Sequence, residues 1–188
     1  MTDNLQSIFN ELKTQYGEYG DNLPPVEKWH PTNCGDIGLL IKKDGTWWQN
    51  GQKFSREKLV KLFSKILRKE EDGKTYLVTP HEKVIIEIED AHFTIIRADL
   101  IDDGIQKIIF TTNVGENFIV DENHKIWVET NQETNEPRPY VMVRNNLFAL
   151  INRSIYYQLV DWGLFVGDEF GVFSNDVFFK LGNIGDDE

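Results

Sequence analysis

The chain has 188 residues, with 31 Asp or Glu against 20 Lys or Arg, a formal net charge of −11, and 40% hydrophobic residues. That composition excludes disorder, and no run approaches the roughly 18 apolar residues that a membrane-spanning helix requires. A single cysteine, Cys34, excludes an intramolecular disulfide framework and any zinc site built from several thiolates.

Leu5, Ile8, Phe9 and Leu12 repeat at helical spacing behind Asp3, which predicts a short amphipathic amino-terminal helix. No basic region followed by an apolar run precedes it, so the expected location is cytoplasmic. Gly17 to Pro31, with Pro24-Pro25, predicts an extended linker, so that 1–31 form a helix and linker. Ile37 to Lys43, Thr46 to Gln49 and Gln52 to Phe54 are separated by Asp44-Gly45 and Asn50-Gly51. Both dipeptides suit tight hairpins, and a three-stranded meander is expected.

Ser55 is the expected cap of a helix running to Lys69, with Leu59, Leu62, Phe63, Ile66 and Leu67 on one face and Asp72-Gly73 beyond its end. Strand-like runs follow at Tyr76 to Thr79, Lys83 to Glu89, Phe93 to Asp99, Ile105 to Thr112, Asn117 to Val120 and Lys125 to Glu129. A polar loop, Thr130 to Pro139, leads to a strand, Tyr140 to Arg144, and then to a second long helix, Asn146 to Leu159. Short segments around Phe165, Phe173 and Phe178 and an acidic tail, Gly185 to Glu188, complete the chain. The expected class is α+β: two related β-rich halves, 32–90 and 91–188, each an antiparallel sheet packed with a long helix. An internal echo sets Asp44-Gly45-Thr46-Trp47 beside His124-Lys125-Ile126-Trp127, with identity too low to establish duplication.

Catalytic signatures are missing. His30 and Cys34, and His81 beside Glu82, come without a third ligand at a zinc-like spacing, and phosphate-cradling glycine motifs and the Gly-x-Ser-x-Gly elbow do not occur. No catalytic residue, metal or cofactor is assigned. Charge is unevenly spread: Leu39 to Lys69 holds nine basic and two acidic residues, a local +7 against −18 elsewhere. On the expected helix Lys58, Lys61, Lys65 and Lys69 form a basic stripe opposite the leucine face. With Trp47 and Trp48 nearby, that stripe suggests single-stranded nucleic acid as one reading, opposed by the overall negative charge.

Four segments resemble a bacterial family catalogued as domain of unknown function 1285. They are Cys34-Gly35-Asp36-Ile37, Asp44-Gly45-Thr46-Trp47, the helix Leu59 to Arg68, and Tyr76-Leu77-Val78-Thr79-Pro80 with Glu82-Lys83-Val84. Past Asp90 the helix ending Tyr156-Tyr157-Gln158-Leu159-Val160 and the closing Val172-Phe173-Ser174 are similar too. The resemblance implies two related halves, the second like a pleckstrin-homology barrel, a ligand cleft where they meet, and a part in signal transduction. It implies no catalytic residue.

The leading expectation is a non-enzymatic binding module that holds a peptide or small anionic ligand between its halves. Its expected site residues are Asp36, Trp47, Arg68, Thr79, Glu82 and Lys83, with Lys83 and Arg68 as charge partners and Trp47 as an apolar wall. The alternatives are a metal-dependent hydrolase through Asp36, Glu82 and His81, and the nucleic-acid binder.

Overall fold

The computed structural model describes residues 23–183, together with Ile8, Asn10 and Thr14. Of the expected amino-terminal helix, these last three are helical and Ile8 is buried, whereas Asp3, Leu5, Phe9 and Leu12 lie outside the described residues, as does the tail from Gly185. Two units divide the chain, Met1–Asp90 and Ala91–Glu188.

From Leu23 onward, the first unit opens with one 3-10 turn at Val26–Lys28. Strands β1 (Asn33–Ile41), β2 (Trp47–Gln49) and β3 (Gln52–Lys53) form the expected meander. Its second turn has positive φ at both Asn50 and Gly51, as a type I′ hairpin requires, while the first needs it only at Gly45. Helix α1 (Glu57–Ser64) and strands β4 (Leu67–Lys69), β5 (Thr75–Val78) and β6 (Glu82–Ile88) follow. The six strands make one sheet in the order β3-β2-β1-β6-β5-β4, with β1 parallel to β6. Register places Leu39, Ile41, Trp47, Leu67, Leu77, Val84 and Ile86 on one buried face, and α1 adds Leu62 and Phe63 to the same core.

The second unit repeats that order. Strands β7 (Phe93–Asp102), β8 (Gln106–Thr112), β9 (Asn117–Ile119), β10 (Ile126–Thr130), β11 (Pro137–Arg144) and β12 (Leu147–Ile151) form a sheet ordered β10-β11-β12-β7-β8-β9. In both units the first strand of the six pairs, parallel, with the sixth. Helix α2 (Arg153–Asp161) leads to a three-stranded antiparallel sheet of β13 (Leu164–Val166), β14 (Glu169–Ser174) and β15 (Val177–Asn183). This small sheet is tied to the large one at its hairpin tip. The Asn175 N–H donates to the Gln106 carbonyl at 2.8 Å, and the buried Ser174 hydroxyl accepts from the Ile108 N–H at 2.9 Å and donates to the Val120 carbonyl at 2.6 Å.

Three expectations need correction. Both large sheets are mixed, not antiparallel, because each closes through a parallel central pair. The helices are short, eight and nine residues. Leu67 to Lys69 leaves the first expected helix to become β4, paired across the Asp72-Gly73 hairpin with Thr75 to Leu77, and Leu147 to Ile151 leaves the second to become β12. Short apolar runs satisfy both periodicities, and here the flanking turns decide. The echo also joins unlike connections, since Asp44 to Thr46 links first and second strands while Asp121 to Lys125 links third and fourth.

Candidate functional site

Most of the expected site residues in the first unit are already engaged. Asp36 lies at a bulge in β1, where its carboxylate accepts from the Gly38 N–H at 2.9 Å. A Cβ on Gly38, at φ +66°, would meet the Asn50 amide oxygen at 2.2 Å, so glycine is required there. Trp47 is 2% exposed, inside the core, and forms no wall. Thr79 is buried and serves its own turn, its hydroxyl accepting from the Glu82 N–H and donating to the Glu82 carbonyl, both at 3.1 Å. Glu82 is half-buried at the start of β6, and His81 is exposed.

Arg68 and Lys83 do come together, around Glu70. Arg68, on β4 and 9% exposed, donates to the carbonyls of Val26 and Trp29 at 2.6 and 2.7 Å, which pins the 3-10 segment to the sheet, and pairs with Glu70 at 2.5 Å. Lys83 pairs with the other oxygen of Glu70 and lies 4.4 Å from the centre of the Tyr76 ring. Burial pushes the Glu70 carboxyl up, but the hydrogen bonds donated by Lys83 and Arg68 outweigh it and leave the pKa below its ordinary 4.5. The Tyr76 hydroxyl donates to Asp72 at 2.7 Å; that bond, then burial, pushes its pKa up to about 12. Such a self-satisfied network stabilises the fold and leaves its cations committed.

The basic stripe is divided. Lys58 and Lys61 are exposed on α1, Lys65 caps its end, and Lys69 lies on β4. At 1.5 Å per residue the helix runs only about 12 Å. Among the described residues, no group of three or more His, Cys, Asp or Glu side chains is placed to hold a metal ion.

A larger opening lies wholly within the second unit. This groove, of about 1460 Å³, runs between β10 and β15 over α2 and is lined by Trp127, Val128, Tyr156, Phe165, Phe170 and Phe178 among others. Both flanking strands are sheet edges. Which backbone groups face the groove follows from proline and pairing parity. Thr130 and Val128 lie opposite Pro137 and Pro139, and the Met142 N–H donates to the Lys125 carbonyl at 3.0 Å. In an antiparallel ladder bonded and non-bonded pairs alternate, so Lys125, Trp127 and Glu129 bond to β11, while Ile126, Val128 and Thr130 turn their N–H and C=O outward. On the other bank the Asn175-Asp176 turn, with φ of 51° and 62°, makes Ser174 and Val177 a bonded pair, and the backbone groups of Phe178 and Lys180 point out.

Close packing shapes the walls. A Cβ on Gly163 would meet the Phe170 ring at 2.4 Å, and one on Gly171 the Phe179 carbonyl at 2.3 Å and the Phe178 ring at 2.6 Å. These two glycines therefore let the ends of the Phe170 and Phe178 rings come close to the backbone. Where β15 bulges, the Tyr156 hydroxyl donates to the Leu181 carbonyl at 3.2 Å, and burial raises the pKa of that tyrosine. Sequence reasoning misses this groove. The available signal is Pro137-Arg138-Pro139, which marks a strand next to an edge, although its polar surroundings suit a loop equally well.

The fold and groove define a two-unit β-rich module with an open strand edge in its second unit. The chain belongs to the DUF1285 family: the family's domain of unknown function, N-terminal domain, matches residues 24–91, and its protein of unknown function, C-terminal domain, matches residues 92–181. A crystal structure of a DUF1285 family protein from Silicibacter pomeroyi DSS-3 is similar with a TM-score of 0.83 and 40% identity, covering 88% of this chain and 91% of that one. Another, from Shewanella baltica OS155, has a TM-score of 0.53 and 25% identity, covering 66% of this chain and 91% of that one. No curated protein matches.

Proposed function

We propose that the chain is a non-catalytic binding module whose second unit takes an extended segment of a partner protein as an added strand beside β10. One observation carries this reading: the backbone groups of Ile126, Val128 and Thr130 turn away from β11, on the side of the aromatic-lined groove. Strand addition takes its affinity from main-chain bonds and its specificity from pockets for alternate side chains. Five residues of β10 at about 3.3 Å each give a run of about 17 Å, matched by a segment of about five residues. The reading treats the unit as a pleckstrin-homology-like barrel left open between β10 and β15, and such a reader of extended segments suits a part in signal transduction.

The groove is favoured over the Arg68–Glu70–Lys83 cluster because the cluster's charges already satisfy one another. Selection of a displayed random-peptide library on the full chain, then titration of the selected peptide against the chain and against Val128→Pro, tests the reading. Binding that the proline weakens about ten- to hundredfold is expected. Failure to select any peptide, or a peptide indifferent to Val128→Pro, ends it.

A further inference from the structure

We infer that the segment taken by the groove is apolar at its centre and carries Lys or Arg at its flanks; this rests on the strand-addition reading above. The second unit holds 16 Asp or Glu against 7 Lys or Arg in residues 91–188, so it carries −9 of the chain's −11. The acids gather around the groove. Glu122 lines it, Glu129 stands on β10, Glu133 and Glu136 lie in the loop that follows, and Asp161, Asp168 and Glu169 flank β13. Of the two lysines in the lining, Lys125 and Lys180, the second is paired with Glu169 at 3.0 Å. Arg153 lies 3.7 Å from Glu136. Among the described residues, Glu122, Glu133, Asp161 and Asp168 have no ion-pair partner.

Asp161 is telling, because it closes α2 at the end where the helix dipole disfavours an anion. Helix stability does not account for it; attraction of a cation would. Between the acids lies apolar surface: Leu164, Phe165 and Val166 are 45%, 58% and 45% exposed in succession, and the Phe165 ring lies 5.0 Å from Phe170 in the groove wall. A second copy of the chain fits poorly in the groove, since it brings the −9 of its own second unit to these acids. A basic-flanked segment meets the acids around the groove with opposite charge.

Three synthetic peptides test the inference, sharing a centre of alternating Val and Thr and flanked by Lys-Arg, Ser-Ser or Glu-Glu. Fluorescence anisotropy with the full chain is run at about 0.05 and 0.5 M NaCl, where the screening length falls several-fold. Two or three exposed pairs give the basic peptide about tenfold tighter binding than the acidic one at low salt, a preference that shrinks at high salt. Asp161→Lys with Asp168→Lys, both exposed positions, reduces or reverses it. Equal affinities for the three peptides, all lost with Val128→Pro, overturn the charge selection and leave strand addition standing. No binding by any peptide overturns both. A chain that sediments as a dimer, dissolved by Val128→Pro, assigns the groove to a second copy and overturns the inference.

Discussion

Adjacent prolines on β10 should have opposite consequences. The N–H of Val128 points into the groove and gives nothing to β11, whereas the N–H of Glu129 belongs to a bonded pair with Arg138. Val128→Pro therefore loses no ladder bond and narrows the unfolded ensemble, and stability stays within about 1 kcal/mol of the parent. Glu129→Pro removes one bond and strands the Arg138 carbonyl, for a cost of about 1–3 kcal/mol. Affinity reports the reverse order. A segment bound to the Val128→Pro variant keeps an unpaired carbonyl opposite the substitution, and the same 1–3 kcal/mol becomes about a ten- to hundredfold loss. Urea midpoints at unchanged slope measure the first effect and peptide anisotropy the second. Equal midpoints for the two variants would refute the parity derived from Pro137 and Pro139, and with it the outward face of β10.

Other expectations can be checked on the full chain. Arg68→Met frees the carbonyls of Val26 and Trp29 and leaves Glu70 with Lys83 alone; a loss of about 3 kcal/mol is expected, with early proteolysis between 23 and 31 as its local signature. Gly171→Ala drives a Cβ onto the Phe179 carbonyl, which is backbone and cannot step aside, so unfolding should be easier by about 1–3 kcal/mol in urea melts. Tyr76 keeps its proton better folded than unfolded, so its contribution is whole below pH 10.0 and drains away as pH rises to about 12; Tyr76→Phe should flatten the stability profile in that window and also in the acid range, because the same hydrogen bond is what most lowers the Asp72 carboxyl.

What is legible in the sequence follows from how local each signal is. Asn50-Gly51 specifies its hairpin because two positive φ angles are needed in succession and those residues tolerate them. The strands β5 to β8 are likewise bounded by turn residues close at hand. Leu67 to Lys69 passes for helix because its apolar residues continue the stripe of Leu62, Phe63 and Ile66, and only pairing with Thr75 to Leu77 makes it a strand. Asn145-Asn146, both at positive φ, hides the start of β12 in the same way. For the site, Arg68 and Lys83 stand out chemically in the sequence, but nothing local marks Glu70, which consumes both charges. The parallel joins, β1 with β6 and β7 with β12, leave no local mark at all.

That joining of first strand to last has a consequence for how each unit comes into being. Asn33 must wait for Glu82, and Phe93 for Ala149, before the middle of either sheet exists. Closing chain loops of this length costs about 3–4 kcal/mol of entropy before the central contacts repay it. On a ribosome, neither unit can be finished until its sixth strand has emerged. A nascent chain whose emerged part stops just short of Glu82 or Leu147 would hold a three-stranded meander and a separate two-stranded hairpin, with the inner edge of β1 or β7 bare, which is where helper chaperones would be needed most.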